Sequence, residues 1–220
     1  MSINTFWLRT LGILGTLGGI TLFAGDMLFY YDGFSSDFVL NMANSSDARI
    51  KASGITALVA AWLYLLGLGQ VYAAFKPASA KVRNTVFISF GAILVSYGVI
   101  HGAYVAIATT AKLGLANNID LGVATQLAAN ANDLLRFLIY PIFALLSFVF
   151  IAQVWKKKTL YPRWIIAFFP LVPFIFQAPI ASILSGSWFV IIVGGYLNLI
   201  LIVFFTASTV ALWNVKEEQK

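Results

Sequence analysis

Cysteine is absent from this 220-residue chain, which excludes a disulfide frame, a thiolate metal site and a cysteine nucleophile. Histidine occurs once, as His101, so a centre built on two or more imidazoles is excluded as well, and no metal or cofactor is expected. Charge is scarce: 10% of residues are charged, where a soluble domain carries about 25%. That is too little to cover a water-facing surface, so lipid must solvate most of the chain. The net charge of +6 sits in short basic clusters between apolar runs. This is a pattern of membrane topology and argues against nucleic acid as a partner. A Gly-x-Ser-x-Gly elbow, a His-Glu-x-x-His helix and a Gly-rich phosphate loop are all missing, so the common hydrolase and nucleotide readings fit poorly.

What the chain does have is long apolar runs. Six are long enough to cross a bilayer: 10–31, 55–75, 86–106, 134–155, 164–184 and 189–213. About 20 apolar residues suffice for a helix to span. Helices are the economical choice because lipid leaves backbone polar groups unsatisfied. The expectation is one all-α transmembrane domain over 1–220, a bundle of six helices. Run 10–31 exceeds the core of a signal peptide and reads as a retained first span.

The connectors differ in sign. Lys76, Lys81 and Arg83 follow the second run, and Lys156, Lys157, Lys158 and Arg163 follow the fourth, with no acid in either loop. Both loops read as cytoplasmic. The loop from Asp32 to Ser53 mixes Asp32, Asp37 and Asp47 with Arg49 and Lys51. The loop after the third run holds Lys112 and Asp120. Both read as external, and both termini then fall on the cytoplasmic side. Trp155, Trp164, Trp188 and Tyr31 sit at run ends, where amphipathic rings anchor. Asn44-Ser45-Ser46 matches a glycosylation triplet, a pattern frequent by chance.

Polar residues inside the runs point to where function sits. Asp26, in FAGDMLFYYDG, lies deep in the first run with no other charge back to Arg9. At about 100° per residue it shares a sector with Gly12, Gly15 and Gly19, and a small-residue face packs against protein, not lipid. In the fourth run Gln126, Asn130, Asp133, Arg136, Tyr140, Ala144 and Ser147 form a stripe, so that helix should begin near Leu121. Asp133 and Arg136, three apart, can pair. His101 lies past the middle of the third run. Pro170, Pro173 and Gln177 line up in the fifth, where Pro179 follows, which implies a kinked or interrupted helix. Asn198 shares a face with Ser187 and Gly194 in the sixth. By depth, Asp26, His101, Asp133, Arg136, Tyr140, Gln177 and Asn198 converge in the outer half of the membrane, as an outward-facing polar pocket. Intramembrane ionisable groups usually face such an interior.

Two roles compete for each residue. Asp26 is either a structural group, at a helix end near headgroup level or salt-bridged to Arg136, or a proton, cation or amine site. His101 is a hydrogen-bonded packing residue or a proton-transfer group. Arg136 with Asp133 is a structural pair or an anion-reading site. Three functions follow: binding or transport of a small polar or amphipathic ligand, an intramembrane lipid-modifying enzyme using Asp26 and His101, or a non-catalytic assembly partner docking through glycine faces. Membrane lipids are the expected surroundings in each case.

The stretch LGILGTLGGITLFAGDMLFYY resembles the first helix of uncharacterised bacterial six-helix membrane proteins of unknown function. The resemblance covers mainly the first span and implies a bacterial inner membrane. The Asp-and-His pattern is also similar to that of lysoplasmalogenase-type membrane hydrolases. There a Gly-Asp helix is soon followed by the His helix, whereas here a whole extra span intervenes, so those roles are not carried over.

Overall fold

The computed structural model describes residues 5–31 and 35–215; Asp32, counted above with the outer loop, lies outside them. The described residues are helical or irregular, with no strand among them. In chain order the helices are α1 (Thr5–Tyr30), α2 (Phe38–Asn44), α3 (Asp47–Ala74), α4 (Ala80–Ala116), α5 (Leu121–Trp155), a 3-10 turn (Arg163–Phe168), α6 (Leu171–Ile175), α7 (Gln177–Ile183), α8 (Gly186–Gly194) and α9 (Tyr196–Leu212).

Local chemistry starts the helices. Asp37 accepts from the amides of Val39 and Leu40, Ser46 from Arg49, Ser79 from Val82 and Asp120 from Val123. Each cap satisfies a helix-end donor that would otherwise go unpaired. Arginines close the other ends. Arg49 donates to the Met27 and Tyr31 carbonyls at the end of α1, Arg9 to Trp213 just past α9, and Arg163 to Trp155, the last residue of α5. A cation there also meets the negative end of the helix dipole.

Four helices, α1, α3, α4 and α5, are long and apolar enough to cross a membrane; a fifth is reached if α8 and α9, bent by 60°, count together. This departs from six uniform spans. Run 164–184 is not one helix but a 3-10 turn and two short helices. Pro170 begins α6, while Pro173 and Pro179 fall in the first turns of α6 and α7, so each ring prevents the helix before it from continuing. The broken segment connects α5 to α8. Arg163 is tied to Trp155 at one end, and beyond α7 Phe189 stacks on Phe38 at the other. The loop expected over 32–53 is largely helical, as α2 and the start of α3. α4 and α5 run well past the third and fourth apolar runs, and α5 begins at Leu121 with Asp120 as its cap.

Packing explains the glycines. A Cβ on Gly67 would strike the Gly15 backbone, and one on Gly15 would strike the Phe205 ring, so α1, α3 and α9 meet at close range. Two apolar clusters result. The larger, near the end where α1 begins, gathers Phe75, Phe90, Phe150, Phe169, Phe204 and Phe205. The smaller, near the opposite end, gathers Phe29, Met42, Ile50, Ile107 and Val190. A polar chain threads the larger: Tyr161 meets Ser208 at 2.7 Å, and Ser208 donates to Gln70 at 2.7 Å.

Candidate functional site

Between the two clusters lies a cavity of about 510 Å³, bordered by α1, α2, α4, α5, α6, α7, α8 and α9. Asp26, His101, Asp133 and Arg136 all border it, as do Tyr140, Gln177 and Asn198. All seven residues singled out in the sequence are therefore brought to one chamber. The α5 stripe is rotated from its expected position: Gln126 and Asn130 are off the wall, and Thr125 and Asn132 are on it.

Asp26 projects from the last turns of α1 and is 8% exposed. Its Oδ1 meets His101 Nδ1 at 3.0 Å, and its Oδ2 accepts from Asn198 Nδ2 at 2.6 Å. The Tyr64 hydroxyl donates to Asn198 Oδ1 at 3.3 Å, which fixes that amide's orientation. The packing partner of Asp26 is thus His101 and not Arg136, correcting that alternative. Arg136 lies within electrostatic range of Asp26 without pairing to it.

The far side of the His101 ring meets Ser53 of α3, Nε2 lying 2.8 Å from Oγ and 3.1 Å from the carbonyl oxygen. The order of Asp26, His101 and Ser53 resembles a hydrolase triad, but its direction is reversed. Ser53 is completely buried, does not border the cavity and donates its hydroxyl to the Gly25 carbonyl at 2.7 Å. No substrate reaches Oγ, so Ser53 positions His101 and Asp26 is the end that faces the chamber. A nucleophilic serine needs the opposite arrangement.

Counting hydrogens sharpens the electrostatics. The single Ser53 hydroxyl proton goes to Gly25, so Nε2 faces two acceptors and must carry a proton. The Nδ1–Oδ1 contact then holds one more proton between ring and carboxyl. On either side of that bond, the Asp26–His101 pair has no net charge. This makes a carboxyl tolerable among apolar helices, where a bare one would be expensive.

The α5 wall is different. Asp133 and Arg136, expected to pair, form no ion pair with each other or with any other described residue. The one hydrogen bond from the Arg136 guanidinium to a described residue is a long one to the Tyr104 hydroxyl, 3.4 Å. Asp133 has no hydrogen bond among the described residues. Asn132 is 2% exposed, and its Oδ1 is buried without a partner there.

Ser53, Tyr64, Tyr104 and Asn132 were missing from the sequence-derived site. Ser53 and Tyr64 carry no signal above the background of small and aromatic residues in membrane helices. Asn132 had one, an amide beside Asp133 in an apolar run. No group of described residues has the makings of a metal site.

No curated protein and no solved structure matches the chain. A family model matches residues 1–216, and the chain belongs to that family, a family of unknown function designated DUF6796.

Proposed function

We propose that this is a six-crossing membrane protein with both termini cytoplasmic, whose outer-half cavity binds or carries a small polar or amphipathic ligand. The observation that carries the reading is the convergence of Asp26, His101, Arg136 and Asn198, from four separate helices, on one half-open chamber of about 510 Å³. That size and mixed lining fall in the range of small-molecule sites. Asp26, held by two donors, keeps lone pairs toward the chamber for a ligand donor. Arg136 supplies a positive group and Tyr140, half exposed, stands at the open side.

A second reading has its own observation. The 3.0 Å contact between Asp26 and His101 suits an acid–base pair acting on a lipid, and both groups border the chamber.

One experiment addresses both. The protein is purified in a mild non-ionic detergent beside Ala129→Trp, which fills the chamber from the α5 wall, and bound small molecules are identified by native mass spectrometry. A bound mass present in the wild type and absent from the variant supports the binding reading. Conversion of added phospholipid by the wild type, lost in Asp26→Asn, favours the enzyme. Identical spectra for wild type and Ala129→Trp, with no lipid conversion, end both.

A further inference from the structure

The geometry points to a zwitterionic, single-chain amphiphile as the ligand class: a cationic amine at Asp133, an anionic phosphate or carboxylate at Arg136, and an apolar chain along the chamber floor. This rests on the binding reading above and goes further by naming the chemistry.

The charges set the headgroup. Four charged or readily charged side chains border the chamber: Asp26, His101, Asp133 and Arg136. The first two hold each other, and their hydrogen bonds leave the pair without net charge. That leaves one free anion and one free cation a single helical turn apart, with Cβ atoms about 5–6 Å from each other. Opposite charges at this spacing can pair, and these do not. Asp133 is exposed and Arg136 half-buried on the same wall, so a ligand of one sign alone would leave one of them unmatched. A ligand carrying both signs satisfies both. Beside Arg136, the Tyr104 hydroxyl adds a donor for an anionic oxygen.

The floor and the opening set the rest. Deeper than the polar level the walls are Ile93, Ile139, Phe143 and Phe174, a surface for a hydrocarbon chain. The inner half of α5 is well packed, with Leu146, Phe150 and Val154 buried. Its outer half buries only Thr125 and Asn132 and stands off from α7 and α8. The Phe143–Phe174 ring pair, 6.0 Å between centroids, closes this gap at its base. The gap lies between α5 and its neighbours, a path open to a membrane-dissolved amphiphile.

The test uses the full chain in a non-ionic glycoside detergent and four probes, with the chain length of the three amphiphiles equal: a lysophosphatidylethanolamine, an alkyl phosphate, an alkylamine, and free phosphoethanolamine. Affinity is read from tryptophan fluorescence in the wild type, Asp133→Asn, Arg136→Gln and Ala129→Trp, each first checked for monodisperse elution. The lysophospholipid should bind about tenfold tighter than either single-sign amphiphile, the worth of one charge-assisted hydrogen bond. Asp133→Asn should remove its advantage over the alkyl phosphate, and Arg136→Gln its advantage over the alkylamine. Free phosphoethanolamine should bind more weakly than the lysophospholipid. Equal binding of the alkyl phosphate and the lysophospholipid in the wild type overturns the zwitterion and leaves the chamber reading standing. Free phosphoethanolamine binding as tightly as the lysophospholipid overturns the chain. Probe binding that survives Ala129→Trp unchanged places the ligand elsewhere and overturns both this inference and the reading beneath it.

Discussion

A carboxyl group among apolar helices is stable only if its neighbours answer each of its oxygens, and Asp26 has an answer on both. Asn198 serves Oδ2 and His101 serves Oδ1. The two supports differ in weight. Asn198→Ala strips a charge-assisted donor from a buried oxygen and should cost about 1–3 kcal/mol. Ser53→Ala leaves His101 Nε2 its backbone acceptor, the residue 53 carbonyl at 3.1 Å, and should cost about 0.6 kcal/mol, the average for an interhelical hydrogen bond in a membrane protein. Thermal unfolding in detergent checks the order; a Ser53→Ala loss equal to or above that of Asn198→Ala would mean the hydroxyl serves the ring and the proton count is wrong. Most of the site was legible at this scale. In a chain with so little charge, Asp26, His101, Asp133 and Arg136 stand out against apolar neighbours. Their partners were not legible: the reach from His101 to Ser53 joins two neighbouring helices and depends on their rotation, and the failure of Asp133 to pair with Arg136 depends on side-chain directions that spacing leaves open.

At the scale of the element, the glycines divide into those that set a contact and those that do not. Gly67 meets the Gly15 backbone, which has no side chain able to move aside, whereas Gly102 has nothing within 4 Å of a Cβ position. Gly67→Ala should separate α1 from α3 and destabilise the fold by about 1–3 kcal/mol, the ordinary cost of overpacking. Gly102→Ala should leave stability unchanged or slightly raised, since alanine favours helix. Unfolding midpoints of the two variants side by side test this, and similar losses would sink the close-contact account. Helical periodicity identified the inward face of α1 because packing and period agree there. In run 164–184 hydropathy alone counted one span. The prolines announced the interruption, but not that three short pieces would result or that their breaks would border a chamber. The bend between α8 and α9 had no proline to announce it; Gly194 and Gly195 mark it, and glycines are common enough in membrane helices to hide a break.

For the molecule as a whole, the charges at the two ends differ more than their count implies. At the end where α1 begins, Lys81, Lys156, Lys157 and Lys158 form no ion pair among the described residues. At the opposite end two of the three cations Arg49, Lys51 and Lys112 are engaged: Arg49 caps α1, and Lys112 pairs with Asp47 at 2.8 Å while donating to the Ser45 carbonyl at 2.9 Å. The free positive charge is therefore concentrated at one end, and the positive-inside rule predicts that this end faces the cytoplasm. The absence of cysteine makes the prediction simple to examine, since any single cysteine introduced is the only one. Asn117→Cys, between α4 and α5, and Ser185→Cys, between α7 and α8, should react with a membrane-impermeant maleimide on intact cells. Lys156→Cys, just past α5, should react only after permeabilisation. Reversal of all three would invert the bundle and turn the chamber toward the cytoplasm. Ser185→Cys carries the further decision on the broken segment: labelling with Asn117→Cys means that the 3-10 turn, α6 and α7 complete a crossing, while labelling with Lys156→Cys means that they turn back and do not.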